Sequence, residues 1–172
     1  VTIPEQRGSF RKLLDVIGPG REVTEFNYRI ADSDTAHVFV GLQVHGREEA
    51  RRLAQGFEDA GLPALDLTDD ELAKLHLRHL VGGRTTLADD EVLHRYEFPE
   101  RPGALVRFLA AMAPGWNISL FHYRGHGSDV GRVLVGMQVP PSDRAAFDTF
   151  RETLGYRSWD ETDNPAYRQF LR

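Results

Sequence analysis

Two short runs, Phe26-Asn27-Tyr28 and Phe121-His122-Tyr123, set a phenyl ring and a phenol two residues apart. In a strand that spacing puts both rings on one face, an aromatic wall carrying one hydroxyl. Each run follows a turn of the form Pro-Glu-x-x-Gly: Pro4-Glu5-Gln6-Arg7-Gly8 and Pro99-Glu100-Arg101-Pro102-Gly103. Both turns lead into an amphipathic stretch. A helix N-terminus offers free backbone N–H groups at the positive end of its dipole, where an anion is favoured. Gly8 and Gly103 allow close approach to the backbone, and Pro102 suits the first helical position, where its missing N–H loses no partner. Together these features suit a small ligand with a carboxylate and an apolar side chain. Taken alone, an aromatic pair in a strand is also what core packing looks like, and Pro-x-Gly is also an ordinary turn.

Other chemistries find little support. The sequence has no cysteine, which excludes disulfides, thiolate zinc sites and cysteine nucleophiles. His122 and His126 are four apart where the strand ends, and His76 and His79 lack a third ligand nearby, so the spacing does not describe a metal site. Neither Gly-x-Ser-x-Gly nor His-Glu-x-x-His occurs. Gly125, Gly127 and Gly131 belong to a hairpin connection rather than a phosphate loop. Only Lys12 and Lys74 are lysines, and neither sits beside a glycine-rich cradle, as an aldimine-forming lysine must. Arg29 and Arg124, adjacent to the two tyrosines and facing the other way, read as surface or interface ion-pair residues.

These candidates recur because the chain is a duplication. Pro4 returns as Pro99, and the offset of 95 holds without a gap from Ile3/Phe98 to Val44/Val139. Identical pairs include Glu5/Glu100, Gly8/Gly103, Phe26/Phe121, Tyr28/Tyr123, Arg29/Arg124 and Gly41/Gly136. Copy one departs at Gln6-Arg7, which stands for Arg101-Pro102, and at Arg21-Glu22, which stands for Trp116-Asn117. Each copy reads as strand, helix, hairpin of two strands, helix, strand. Phe10, Leu13, Leu14 and Ile17, and in copy two Leu105, Phe108, Leu109 and Met112, give the first helices one apolar face. Pro19-Gly20 and Pro114-Gly115 close them. Val23–Ile30 and His37–Val44 are the hairpin of copy one. The second helices span 47–60 and 142–154, with Ser142 and Asp143 as N-cap candidates, and each leads through glycine to a short fourth strand. Additional helices are expected over 69–80 and 164–171. The fold class is therefore α+β: two tandem ferredoxin-like β-α-β-β-α-β domains with antiparallel sheets, over 1–80 and 92–172, with 81–91 as linker.

With 172 residues, 41% hydrophobic, 27% charged and a net charge of −5, the chain reads as an ordinary soluble globular protein. It has no run long and apolar enough for a membrane span, no signal peptide at Val1, and no basic excess to suggest nucleic acid. RNA-recognition domains share this element order, but Arg132-Val133-Leu134-Val135-Gly136 lacks their central-strand aromatics. The opening without Met suggests a piece of a longer chain.

The order of elements, with glycine in the first turn and Asn117-Ile118 opening the second strand, resembles the ACT family of amino-acid-sensing regulatory domains. FPERPGAL, WNISLFHYRGHG, RVLVGMQVP and DETDNPAYRQFL, with TEFNYRI, VFVGLQV and DELAKLHLRHLVGGR in copy one, are similar to the C-terminal regulatory regions of biosynthetic threonine dehydratases. That resemblance implies a fragment that binds isoleucine as inhibitor and valine as opposing activator. It implies a missing pyridoxal-phosphate catalytic domain that deaminates threonine to 2-oxobutanoate and ammonia, and a tetrameric, cytoplasmic parent. No cofactor is expected in the fragment itself. By the same resemblance Tyr28 and Tyr123 are effector-site residues, supported by Asn117. The turns and walls add Glu5, Gly8, Phe26, Glu100, Arg101, Gly103 and Phe121. The alternative is a structural dimerisation module that binds no effector.

Overall fold

Phe10, Leu13, Leu14 and Ile17 are all buried on one side of the first helix, as their 3.6-residue spacing requires. The computed structural model describes residues 1–71, 73, 83–99, 101, 103–124 and 130–171. Copy one comprises β1 (Thr2–Pro4), α1 (Ser9–Ile17), β2 (Val23–Arg29), β3 (Thr35–His37), β4 (Phe39–Leu42) and α2 (Arg47–Asp59). Copy two comprises β5 (Glu91–Pro99), α3 (Ala104–Ala111), β6 (Asn117–Arg124), β7 (Val130–Gln138), α4 (Arg144–Leu154) and β8 (Arg157–Asp160), followed by α5 (Pro165–Phe170). Gly8 and Gly103 sit at the N-caps of α1 and α3 with φ of 88° and 89°, a left-handed conformation that explains why glycine ends both turns.

In copy two the strands lie in the order β6-β7-β5-β8, all antiparallel neighbours, which is the ferredoxin-like arrangement. Copy one follows the same plan with two interruptions. Its third strand breaks at the buried Val38, whose N–H turns to the carbonyl of Val1 at 2.9 Å, so β3 pairs with β1 and β4 with β2. Its expected fourth strand does not form: Thr2 N–H bonds the carbonyl of Pro63 at 2.8 Å, but Pro63 has no N–H to continue a ladder. The fold is α+β, two tandem ferredoxin-like units with antiparallel sheets.

The two copies join edge to edge. β2 and β6 pair antiparallel, so one six-stranded sheet, β4-β2-β6-β7-β5-β8, runs through both. In this register Phe26 faces Tyr123 and Tyr28 faces Phe121, about a centre at Asn27 and His122. The two Phe-x-Tyr motifs therefore meet each other across a pseudo-twofold. Phe26 and Phe121 touch edge to face with centroids 5.4 Å apart, and both are buried in a core that spans the two copies.

The other face of the sheet holds a buried polar cluster. Arg29 of copy one pairs through Nη1 and Nη2 with the carboxylate of Glu91, and its Nη2 also donates to the carbonyl of Leu171 at 2.5 Å. Ser119 and Tyr167 donate to the same carboxylate. Arg29 is thus an ion-pair residue but not a surface one, because α5 and the strand edges cover it. Glu91, expected in the linker, opens β5. Asp143 stands at the N-cap of α4 without capping it; its carboxylate accepts from Trp116 Nε1 at 3.1 Å instead. The additional C-terminal helix forms as α5, with Asn164 Oδ1 accepting from Ala166 N–H at 2.9 Å. Lys74, His76 and His79, expected on a helix over 69–80, lie outside the described residues, as do Gly125, His126 and Gly127.

Candidate functional site

A cavity of about 200 Å³ opens where the turn before α3 meets β6 and the end of the α1–β2 loop. Copy two supplies Phe98, Pro99, Arg101, Gly103, Ala104, Leu105, Phe121 and Tyr123; copy one supplies Arg21, Glu22 and Val23. Apolar rings and Leu105 form the body of the cavity, while two guanidiniums, one carboxylate and a phenol are its polar groups. A small zwitterion with an aliphatic side chain matches that lining. Four of the anticipated residues, Arg101, Gly103, Phe121 and Tyr123, are brought together here. Glu100 lies outside the described residues.

Sequence reasoning missed Arg21, Glu22 and Val23 as site residues. The signal was nonetheless present: the repeat offset pairs Glu22 with Asn117, which was singled out, and the cross-copy arrangement makes each do the other's work. Arg21 is anchored by Nη1, which donates to Glu49 Oε1 at 2.6 Å and to the carbonyl of Gln43 at 3.3 Å. Its Nε is buried and has no partner among the described residues.

At the matching place in copy one, the turn before α1 meets β2 and the start of β6. Tyr28 is 2% exposed, and its hydroxyl donates to Glu5 Oε2. Asn117 Nδ2, from copy two, donates to the other oxygen of Glu5 at 3.3 Å and to Gln138 Oε1 at 3.3 Å. Burial, then the hydrogen bond to Glu5 and its negative charge, raise the Tyr28 phenol far above its ordinary value. Tyr28 therefore remains a neutral donor at any physiological pH. Glu5, Gly8, Tyr28 and Asn117 are together, as anticipated, but the carboxylate of Glu5 occupies the donors that a ligand would use. Phe26, 1% exposed, belongs to the seam between the copies and lines no part of the cavity at Tyr123.

Lys12 is exposed on the outer side of α1, not enclosed as a lysine holding pyridoxal phosphate must be, so this described lysine does not fit that cofactor. Among the described residues no three histidines or carboxylates gather as a metal site, and no helix is long and apolar enough to cross a membrane.

Comparison with known proteins adds a family likeness over almost the whole chain. The model for the C-terminal regulatory domain of threonine dehydratase matches residues 1–77 and 82–171. The chain is 57% identical to the biosynthetic L-threonine dehydratase IlvA of Burkholderia multivorans over 99% of its length, and covers 34% of that protein. It is 51% identical to the Escherichia coli K12 protein of the same name over 99% of its length, covering 33% of it. With the mitochondrial threonine dehydratase of Saccharomyces cerevisiae it shares 43% identity and covers 31%. The chain thus spans about a third of the length of these curated relatives. Among solved structures, aspartate kinase from Synechocystis superposes on 92% of this chain, and on 27% of its own, with a TM-score of 0.53 at 13% identity, a likeness of fold alone.

Proposed function

This chain belongs to the family of C-terminal regulatory domains of threonine dehydratase, and from that premise we propose that it binds branched-chain amino-acid effectors. Isoleucine acts as inhibitor and valine opposes it, and the target is the deamination of L-threonine to 2-oxobutanoate and ammonia. The catalytic domain, with its pyridoxal phosphate, lies in the part of the parent protein that this chain does not span, and the parent works as a tetramer. The observation that carries the reading is the cavity at Tyr123. It is small and mostly apolar, yet supplies Arg21, Arg101 and Glu22 for the two charges of an amino acid.

A thermal-shift screen of the amino acids tests it. A ligand at one hundred times its Kd adds about 2.7 kcal/mol of stability, so isoleucine and valine should raise Tm while glutamate and lysine do not. Absence of a shift for every amino acid would favour a structural module that only pairs copies.

A further inference from the structure

We infer that Arg21, a residue of copy one, grips the carboxylate of the ligand held in copy two's cavity, so that one ligand molecule is clasped by both copies. This rests on the amino-acid reading above and names a determinant of its specificity. Arg21 lines the cavity at the end of the α1–β2 loop. Its guanidinium is fixed from one side only, through Nη1 to Glu49 and to the Gln43 carbonyl. The opposite edge, formed by Nε and Nη2, makes no hydrogen bond among the described residues, and Nε is buried. A buried guanidinium donor without an acceptor is costly, and that edge is the one that receives a carboxylate through two parallel N–H···O bonds. The apolar surround of Phe98, Leu105 and Phe121 admits a carboxylate on a short aliphatic body. Copy one cannot do the same, since the repeat puts Trp116 at the position of Arg21 and its Nε1 is committed to Asp143.

The experiment reads copy two's cavity alone by 19F NMR on the chain carrying 3-fluorotyrosine, with the Tyr123 signal assigned by Tyr123→Phe. Isoleucine, isoleucinol (a primary alcohol in place of the carboxylate) and inorganic phosphate are titrated into wild type, Arg21→Gln, Arg21→Lys and Glu49→Gln. In wild type isoleucine should bind roughly 10- to 100-fold more tightly than isoleucinol, the usual worth of a charge-assisted bond. Arg21→Gln should weaken isoleucine by the same factor and leave isoleucinol within about 2-fold, so that the ratio collapses. Arg21→Lys keeps the charge without the fork and should fall between, and it serves if Arg21→Gln does not fold. Glu49→Gln removes the anchor and not the fork, and should keep the wild-type ratio. A ratio unchanged in Arg21→Gln overturns the inference while the amino-acid reading stands. So does Glu49→Gln reproducing the loss, because Arg21 would then act only through its ion pair, and so does phosphate moving the Tyr123 signal as isoleucine does. If isoleucine leaves Tyr123 unmoved in folded wild type but binds elsewhere, the clasp is wrong; if no amino acid binds at all, both readings fall.

Discussion

Tyr28 and Tyr123 occupy the same place in the repeat and meet different surroundings. Tyr123 is half-buried beside an open cavity, whereas Tyr28 packs edge-on against Phe10 at 4.9 Å and gives its hydroxyl to Glu5. Tyr123→Ala should leave the fold intact and weaken isoleucine binding by roughly 1–3 kcal/mol by calorimetry; normal affinity would return the residue to the core. Tyr28→Ala should instead cost about 3–5 kcal/mol of stability through the void it leaves, while Tyr28→Phe costs only about 1 kcal/mol, a contrast that urea unfolding measures. Two-residue alternation told which face each ring takes. It could not tell wall from core, because burial depends on what the other copy brings opposite. Arg29 and Arg124 are likewise equivalent in sequence, yet Arg29 is buried against Glu91 and Arg124 is exposed. Arg29→Met should cost about 3–5 kcal/mol by stranding the Glu91 charge, and Arg29→Met with Glu91→Leu should recover much of it. A double variant no more stable than the single would mean that Ser119 and Tyr167 need the carboxylate more than Arg29 does.

Secondary elements were the most legible part, since repeated apolar spacing and repeated glycines mark them twice. The identity Gly41/Gly136 stands out in the sequence, but its reason is only visible in the sheet. A Cβ on Gly136 would sit 2.5 Å from Glu91 Oε1 and 3.0 Å from Leu120 Cβ and Ser119 Oγ, driving into the buried cluster of Arg29. Gly136→Ala should therefore destabilise by about 1–3 kcal/mol. Gly20→Ala, at a position with open space and no positive φ, should be neutral, and equal effects in chemical denaturation would contradict the packing argument. The failures of the element reading are equally physical. Val38 interrupts a strand that reads as continuous, because the alternation around it does not reveal that its N–H is claimed by Val1. Pro63 stops the fourth strand of copy one, while the matching stretch of copy two pairs from Arg157 to Asp160 with β5.

What no local pattern carried is the joint between the copies. Any of several sheet edges was available, and the pairing of β2 with β6 places the turn of each copy against the strand start of the other. Residues more than a hundred positions apart, such as Glu5 and Asn117, meet only because of it. The arrangement gives the molecule a means of regulation, since a ligand seated between copies binds one relative placement better than another. Only such differential affinity shifts a distant equilibrium, and the coupling needed is about 1–3 kcal/mol. A Tyr hydroxyl and a guanidinium fork suffice for that. We therefore expect a catalytic domain of a threonine dehydratase joined to this chain to be inhibited by isoleucine and relieved by valine, with this chain alone forming no 2-oxobutanoate from threonine even with pyridoxal phosphate added. The double change Tyr28→Phe and Tyr123→Phe keeps the aromatic core and removes both hydroxyls, and should shift the inhibition curve to at least roughly tenfold higher isoleucine. Inhibition unchanged in that variant would show that the signal passes through neither cross-copy site, whatever else binds there.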